Sequence, residues 1–192
     1  MDAVTDAFAA CPRTGFLPDA ERRRASYDGP LPIGHGQTNS QPRTVADMLR
    51  LLDVRPGQRV LDVGSGSGWT TALLARLTGP TGLVLGVELE PGLVSWGAEN
   101  LAATDQPWAS IRQAEPGVLG WPSAAPFDRI LVSAEALSLP LALVDQLRAD
   151  FRLPGRLVIP VAGEMLLVVR SGPEPDDVAV SHHGYYRFVP LR

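Results

Sequence analysis

Two acids and a run of glycines carry the most chemistry per residue in this chain. Asp62 lies two residues ahead of the first glycine in Gly64-Ser65-Gly66-Ser67-Gly68, and Glu88 stands twenty residues after Gly68. A strand that breaks at glycines and re-enters as a helix leaves bare backbone against which a ligand can sit. The spacing is G-x-G-x-G, not the G-x-G-x-x-G of dinucleotide sites, and no G-x-x-x-x-G-K-[ST] follows. The Asp62 carboxylate would repel a pyrophosphate. It suits a ligand with a cationic group, such as a sulfonium or an amine. An acid at the end of the second strand can accept hydrogen bonds from both hydroxyls of a ribose. Together the loop and Glu88 point to a nucleoside ligand with a cationic centre.

A second group of reactive types lies upstream, in Gly36-Gln37-Thr38-Asn39-Ser40-Gln41-Pro42. The hydroxyls of Thr38 and Ser40, with backbone amides freed by the glycines, could hold a carboxylate's oxygens without removing their charge. The competing reading is that both hydroxyls cap the helix opening near Thr44. Other candidates carry less. Cys11 is the only cysteine and reads as a small packed residue, with no disulfide framework, which fits a reducing compartment. His182-His183 has no Cys or His partners at ligand spacing, so it reads as a surface turn and no metal is expected. Arg22-Arg23-Arg24 reads as a solvated helix face.

These residues need elements to hold them. Residues 2–10 read as a helix stopping before Pro12. From Gly15 to Pro42 the density of Pro and Gly predicts neither helix nor strand, yet Phe16, Leu17, Tyr27, Leu31 and Ile33 make it too apolar for a linker. Val45, Met48, Leu49 and Leu52 predict a helix over 44–52. A strand over 60–63 precedes the glycine loop and a helix over 69–77 follows it. Further strands are predicted at 83–88, 110–113 and 127–133, with helices at 91–103 and 139–147. Two strands at 156–161 and 165–170 read as a hairpin around 162–164, and a last strand is expected at 185–190. Strand–helix alternation ending in a hairpin gives an α/β fold, a mostly parallel sheet with an antiparallel edge.

The chain has 192 residues, 45% apolar and 20% charged, enough for one domain with a substantial core. Its net charge of −4 and pI near 5.3 lack the basic footprint of a nucleic-acid binder. The strand end Ser133-Ala134-Glu135 is also not the Asn/Asp-Pro-Pro-aromatic motif of nucleic-acid amine methyltransferases. The first residues carry acids where a secretory leader needs a basic start, and no stretch has 18 uninterrupted apolar residues. We therefore expect a cytoplasmic monomer without membrane or nucleic-acid partners.

The glycine loop with Asp62 and Glu88 resembles the class I S-adenosylmethionine-dependent methyltransferases. Tyr27 to Pro42, YDGPLPIGHGQTNSQP, narrows this, because it strongly resembles the protein-L-isoaspartate O-methyltransferases, whose run G-Q-T-x-S-x-P precedes a helix beginning V-A-x-M. CPRTGFLP upstream and GWPSAAPFDRILVSA, LPGRLVIPV and RFVPL downstream continue the resemblance over nearly the whole chain.

The resemblance implies a Rossmann-like class I fold, a mostly parallel seven-stranded sheet with helices on both faces and an antiparallel C-terminal hairpin. It implies one domain over 1–192, with a substrate segment at 1–43 and a cofactor core at 44–192. It implies S-adenosyl-L-methionine as cofactor and an isoaspartyl residue of a protein or peptide as substrate, with the ester closing to a succinimide whose hydrolysis returns some aspartate. The family's active-site serine corresponds to Ser40, with Thr38 beside it. Gln37, Asp62, Gly64, Ser65, Gly66, Ser67, Gly68, Glu88, Leu89, Glu115, Pro116 and Gly117 would surround the cofactor. Ile33, Gly36, Asn39, Ser133, Pro160 and Val161 would surround the substrate.

Three positions depart from the family pattern. Asn39 replaces an apolar residue, Glu115-Pro116-Gly117 stands where the family commonly has G-D-G, and Glu135 replaces a small residue. Alternatives are an enzyme methylating aspartate in one dedicated peptide and a non-catalytic cofactor-binding relative. A nicotinamide oxidoreductase is disfavoured by the glycine spacing.

Overall fold

The computed structural model describes residues 2–192. The chain opens with α1 (Ala3–Ala10), N-capped by the Asp2 carboxylate, which accepts from the Thr5 amide at 2.7 Å. The Pro- and Gly-rich stretch is more ordered than its composition predicts. It holds 3₁₀ turns at Arg13–Phe16 and Arg22–Arg24, then an antiparallel hairpin of β1 (Leu31–Gly34) and β2 (Gln37–Asn39). Gly34, His35 and Gly36 all take positive φ, which closes the hairpin. The periodicity rules missed it because the strands are only four and three residues long, and β1 carries both Pro and Gly. Arg22–Arg24 is the exposed face expected.

Next come α2 (Pro42–Leu52), β3 (Arg59–Val63), α3 (Trp69–Thr78), β4 (Leu83–Glu88), α4 (Pro91–Ala102), β5 (Ala109–Gln113) and β6 (Arg129–Val132). The chain closes with α5 (Leu141–Val144), β7 (Gly155–Val161), β8 (Glu164–Arg170) and β9 (Val178–Tyr185). The seven-stranded sheet runs β5-β4-β3-β6-β7-β8-β9. Its first five strands are parallel; β8 and β9 add antiparallel pairs at one edge. The chain reverses its direction of growth between β3 and β6, so the carboxyl ends of these two strands open onto a crevice at the switch point, with the end of β4 beside it.

Period-2 alternation splits the core between the sheet's two faces. Val60, Val84, Leu131 and Val158 pack under α1, α2, α3 and α4. Leu61, Leu85, Ile130 and Leu157 face α5 and Phe127. Cys11 is buried with its Sγ toward the Ala72 carbonyl, and burial pushes its thiol pKa up, as a packed residue requires. No helix among the described residues is long and apolar enough to cross a membrane.

Two elements differ from expectation. The helix predicted over 139–147 shrinks to Leu141–Val144. Phe127 and Arg148 exchange backbone hydrogen bonds with this segment (Phe127 N to Gln146 O, Arg148 N to Phe127 O, both 2.8 Å), pulling Gln146 to Arg148 out of helix into a bridge. The last strand is Val178–Tyr185, not 185–190. It is a mostly exposed edge strand with polar residues, which hides it from a hydrophobic pattern. His182 and His183 therefore lie on a strand, not in a turn. His182 pairs with Glu164 at 2.7 Å, and no metal-holding cluster exists among the described residues.

Candidate active site

The glycine loop begins where β3 ends. Gly64 and Ser65 donate their amides to the Val87 carbonyl at 2.9 and 3.1 Å, tying the loop across to β4. Gly68 then caps α3 at φ +87°, and a Cβ there would lie 2.7 Å from the Gly97 carbonyl oxygen of α4. The third glycine is thus demanded twice, by the left-handed backbone and by the close passage of α4. β4 ends in Glu88, whose carboxylate is wrapped by main chain: Oε2 accepts from Gly66 N at 2.9 Å, Oε1 from Leu89 N at 2.7 Å and Glu90 N at 3.0 Å.

Loop, strand ends and hairpin enclose a cavity of about 370 Å³. Of the expected residues, Ile33, Gln37, Thr38, Asn39, Ser40, Gly64, Ser65, Gly66, Ser67, Glu88, Leu89, Glu115, Gly117 and Ser133 line it. The hairpin lies over the glycine loop: Ile33 Cδ1 would sit 3.2 Å from a Cβ on Gly66, and Asn39 bonds Ser67.

Six expected residues lie elsewhere. Asp62 is fully buried behind the loop; its Oδ2 accepts from the Thr70 and Thr71 hydroxyls at 2.7 Å each, and its Oδ1 has no partner. Burial pushes its pKa up to about 6, against the pull of those hydroxyls. The carboxylate is tied to the first turn of α3, and its sequence position alone did not show this. Gly68 is taken up by the helix cap, and Gly36 by the hairpin turn. Pro116 is outside the cavity while Glu115 lines it, so the acid one position early is the one that faces the ligand space. Pro160 and Val161 are occupied by Ala136: its amide donates to Pro160 O at 3.0 Å, and Val161 bridges it.

Neither Thr38 nor Ser40 caps a helix. α2 starts at Pro42, with Gln41 as its N-cap residue and no side-chain cap bond, while Asp28 Oδ1 accepts from Arg43 N at 3.0 Å. Both residues line the cavity instead.

Sequence reasoning missed three contributors. Arg13 is buried, 5% exposed, and its guanidinium donates to the carbonyls of Tyr27, Gly29, Asn39 and Ser40, each at 2.9 Å. The C-terminal run Val189 to Arg192 supplies a wall, and Val118 to Gly120 another. Glu135 holds the C-terminal run: its N–H donates to Val189 O, its carbonyl accepts from Leu191 N, and its Oε2 accepts from Phe188 N. The motif CPR and the terminal RFVPL were visible, but nothing in their spacing told where they fold back.

The family model for protein-L-isoaspartate (D-aspartate) O-methyltransferases matches residues 1–192. The chain belongs to this family. A protein-L-isoaspartate O-methyltransferase of Methanopyrus kandleri is 42% identical over 192 residues, 98% of this chain and 82% of that protein. A Plasmodium falciparum protein assigned to the same activity, solved with S-adenosyl-L-homocysteine, superposes with a TM-score of 0.82 at 27% identity, covering all of this chain and 91% of that one. Another solved protein-L-isoaspartate O-methyltransferase gives a TM-score of 0.87 at 24% identity and shares the fold; this chain spans 62% of its length. In this isoaspartyl methyltransferase family member, Gly64–Ser67 of the loop and Thr38–Ser40 of the hairpin line one cavity.

Proposed function

We propose that the protein is an S-adenosylmethionine-dependent carboxyl O-methyltransferase acting on isoaspartyl residues of damaged proteins or peptides. One observation carries the reading. A nucleoside-suited set, the glycine loop with Glu88, and a carboxylate-suited set, the hairpin residues Thr38 and Ser40, line one and the same cavity. The residues fit the cofactor: Ser65 lines the cavity and its Oγ is buried without a partner, and Glu88, also in the lining, has a carboxylate held by three amides.

S-adenosylmethionine supplies an electrophilic methyl carbon when bound. The chain supplies approach. An isoaspartyl carboxylate has a pKa near 4 and is already ionised at neutral pH, so no general base is required. The hydroxyls of Thr38 and Ser40 would hold its oxygens by hydrogen bonds and orient them toward the cofactor side of the cavity. Ile33, Val189 and Leu191 line the same cavity with apolar surface, excluding water that would solvate and blunt the carboxylate. Residues 1–43 act as the substrate segment and 44–192 as the cofactor core, except that Val189 to Arg192 also reach the cavity.

Incubation with methyl-labelled cofactor and an isoaspartyl peptide gives a base-labile ester, and the matched normal-aspartyl peptide gives much less. Bound cofactor without label transfer overturns the repair reading. Preference for the normal-aspartyl peptide would point to a dedicated substrate; of the departures from the family pattern, Asn39 lines the cavity while Pro116 and Glu135 do not.

A further inference from the structure

The Arg13 guanidinium is a buried cation that donates to no carboxylate among the described residues. Its Nη1 and Nη2 are taken by four main-chain carbonyls, and its Nε donates to Asn39 Oδ1 at 2.7 Å. Its face lies 5.5 Å from the Trp69 ring centre. Arginine has donors only, so this contact dictates which way the Asn39 amide points. The amide nitrogen must face away from Arg13, and there it donates to Ser67 Oγ at 3.1 Å.

Asn39 and Ser67 are both buried, 4% and 2% exposed, yet both line the cavity. Because Ser67 Oγ accepts from Asn39, its own proton is left to donate toward the cavity. The chain cation, amide, hydroxyl, ligand thus has one direction, and a charged end strengthens each link. At its far end Arg13 also holds the carbonyls of Asn39 and Ser40, the residues that fix the hairpin edge.

We propose that Arg13, Asn39 and Ser67 form a coupling relay between the cofactor loop and the substrate hairpin, with Asn39 as its central positioning residue. An acceptor group of a cofactor, such as a carboxylate, would accept a hydrogen bond from the Ser67 hydroxyl, tighten Ser67 on Asn39, and through Arg13 fix the Asn39–Ser40 edge of the hairpin for the substrate carboxylate. The two ligands therefore bind with positive coupling, and the effect is reciprocal. This rests on the proposed methyltransferase function.

Calorimetry with S-adenosylhomocysteine and an isoaspartyl peptide, each titrated alone and in the presence of the other, tests it. In the wild type each ligand tightens the other by the same factor, on the order of tenfold. Asn39→Asp keeps an acceptor for Arg13 but makes Ser67 donate to residue 39, so its proton leaves the cavity. Ser67→Ala removes the link and leaves Arg13–Asn39 intact, and so serves should Asn39→Asp fail to fold. In both variants S-adenosylhomocysteine binds several-fold more weakly, having lost the Ser67 donor, and the coupling factor falls to about one. A coupling factor that persists in either folded variant, or that is absent in the wild type, overturns the relay. A wild type that binds S-adenosylhomocysteine but not the peptide overturns instead the functional reading beneath it.

Discussion

Glu135 turns its carboxylate toward the C-terminal tail, accepting from the Phe188 amide at 3.3 Å, and does not line the cavity. A charge that would repel an anionic substrate is thereby used to hold one of the cavity walls. The side chain adds one bond to two main-chain bonds already joining the same segments. Glu135→Ala should raise the peptide KM a few-fold, consistent with about 1 kcal/mol for the lost bond, and leave S-adenosylhomocysteine affinity unchanged. Glu135→Gln keeps the acceptor and should match the wild type. Steady-state kinetics with both ligands varied checks this.

Ser40→Ala removes a hydroxyl that lines the cavity and caps no helix. Its loss should lower kcat/KM for an isoaspartyl peptide ten- to a hundredfold, about 1.5–3 kcal/mol for a hydrogen bond to a charged group. The melting temperature should stay within a few degrees of wild type. Kinetics and thermal unfolding on the same preparation separate the two effects.

Asp62 links stability to pH. Its folded pKa, about 6, lies above the ordinary 3.8, so the folded state binds the proton more tightly than the unfolded state does. Its contribution is therefore most favourable in acid and is lost as pH rises from about 4 to about 6, on the order of 3 kcal/mol in all. Asp62→Asn cannot ionise and should lack this component. Denaturant unfolding at pH 4.5 and pH 7.5 should show the variant gaining stability relative to wild type at the higher pH.

Gly68→Ala forces a side chain into a left-handed position and against the Gly97 carbonyl at 2.7 Å. It should cost more than about 2 kcal/mol and weaken S-adenosylhomocysteine binding, because the loop and α4 must separate. Chemical denaturation and calorimetry measure both consequences.

The fold was legible where the pattern is long and apolar. β4 falls at 83–88 as expected, and α2, α3, α4, β3, β5, β7 and β8 each fall within two residues of their expected limits. The misses share a cause: something non-local overrode local preference. α5 loses its second half because Phe127 recruits Gln146 and Arg148 into main-chain pairing. β9 carries too little apolar alternation to be seen without β8 beside it. The cavity was legible in its motifs, since glycines, hydroxyls and the strand-end acid declare themselves by type and spacing. The bonds of Asp62 were not legible because its spacing to Gly64 is the same whether the carboxylate faces a ligand or the hydroxyls of Thr70 and Thr71. Arg13 and Glu135 were missed in their roles because each acts on main chain far away in sequence, from Arg13 to Ser40 and from Glu135 to Leu191.

Arg13 gathers carbonyls from three separated points, Tyr27, Gly29 and the pair Asn39–Ser40. That stretch has little regular structure, so one side chain does for it what a ladder of main-chain bonds does for the sheet. Its parts then cannot loosen one at a time: releasing the guanidinium frees the loop at 27–29 and the hairpin edge together. The region from Arg13 to Ser40 should open as one cooperative unit, with its amides exchanging at a common free energy set apart from that of the parallel sheet.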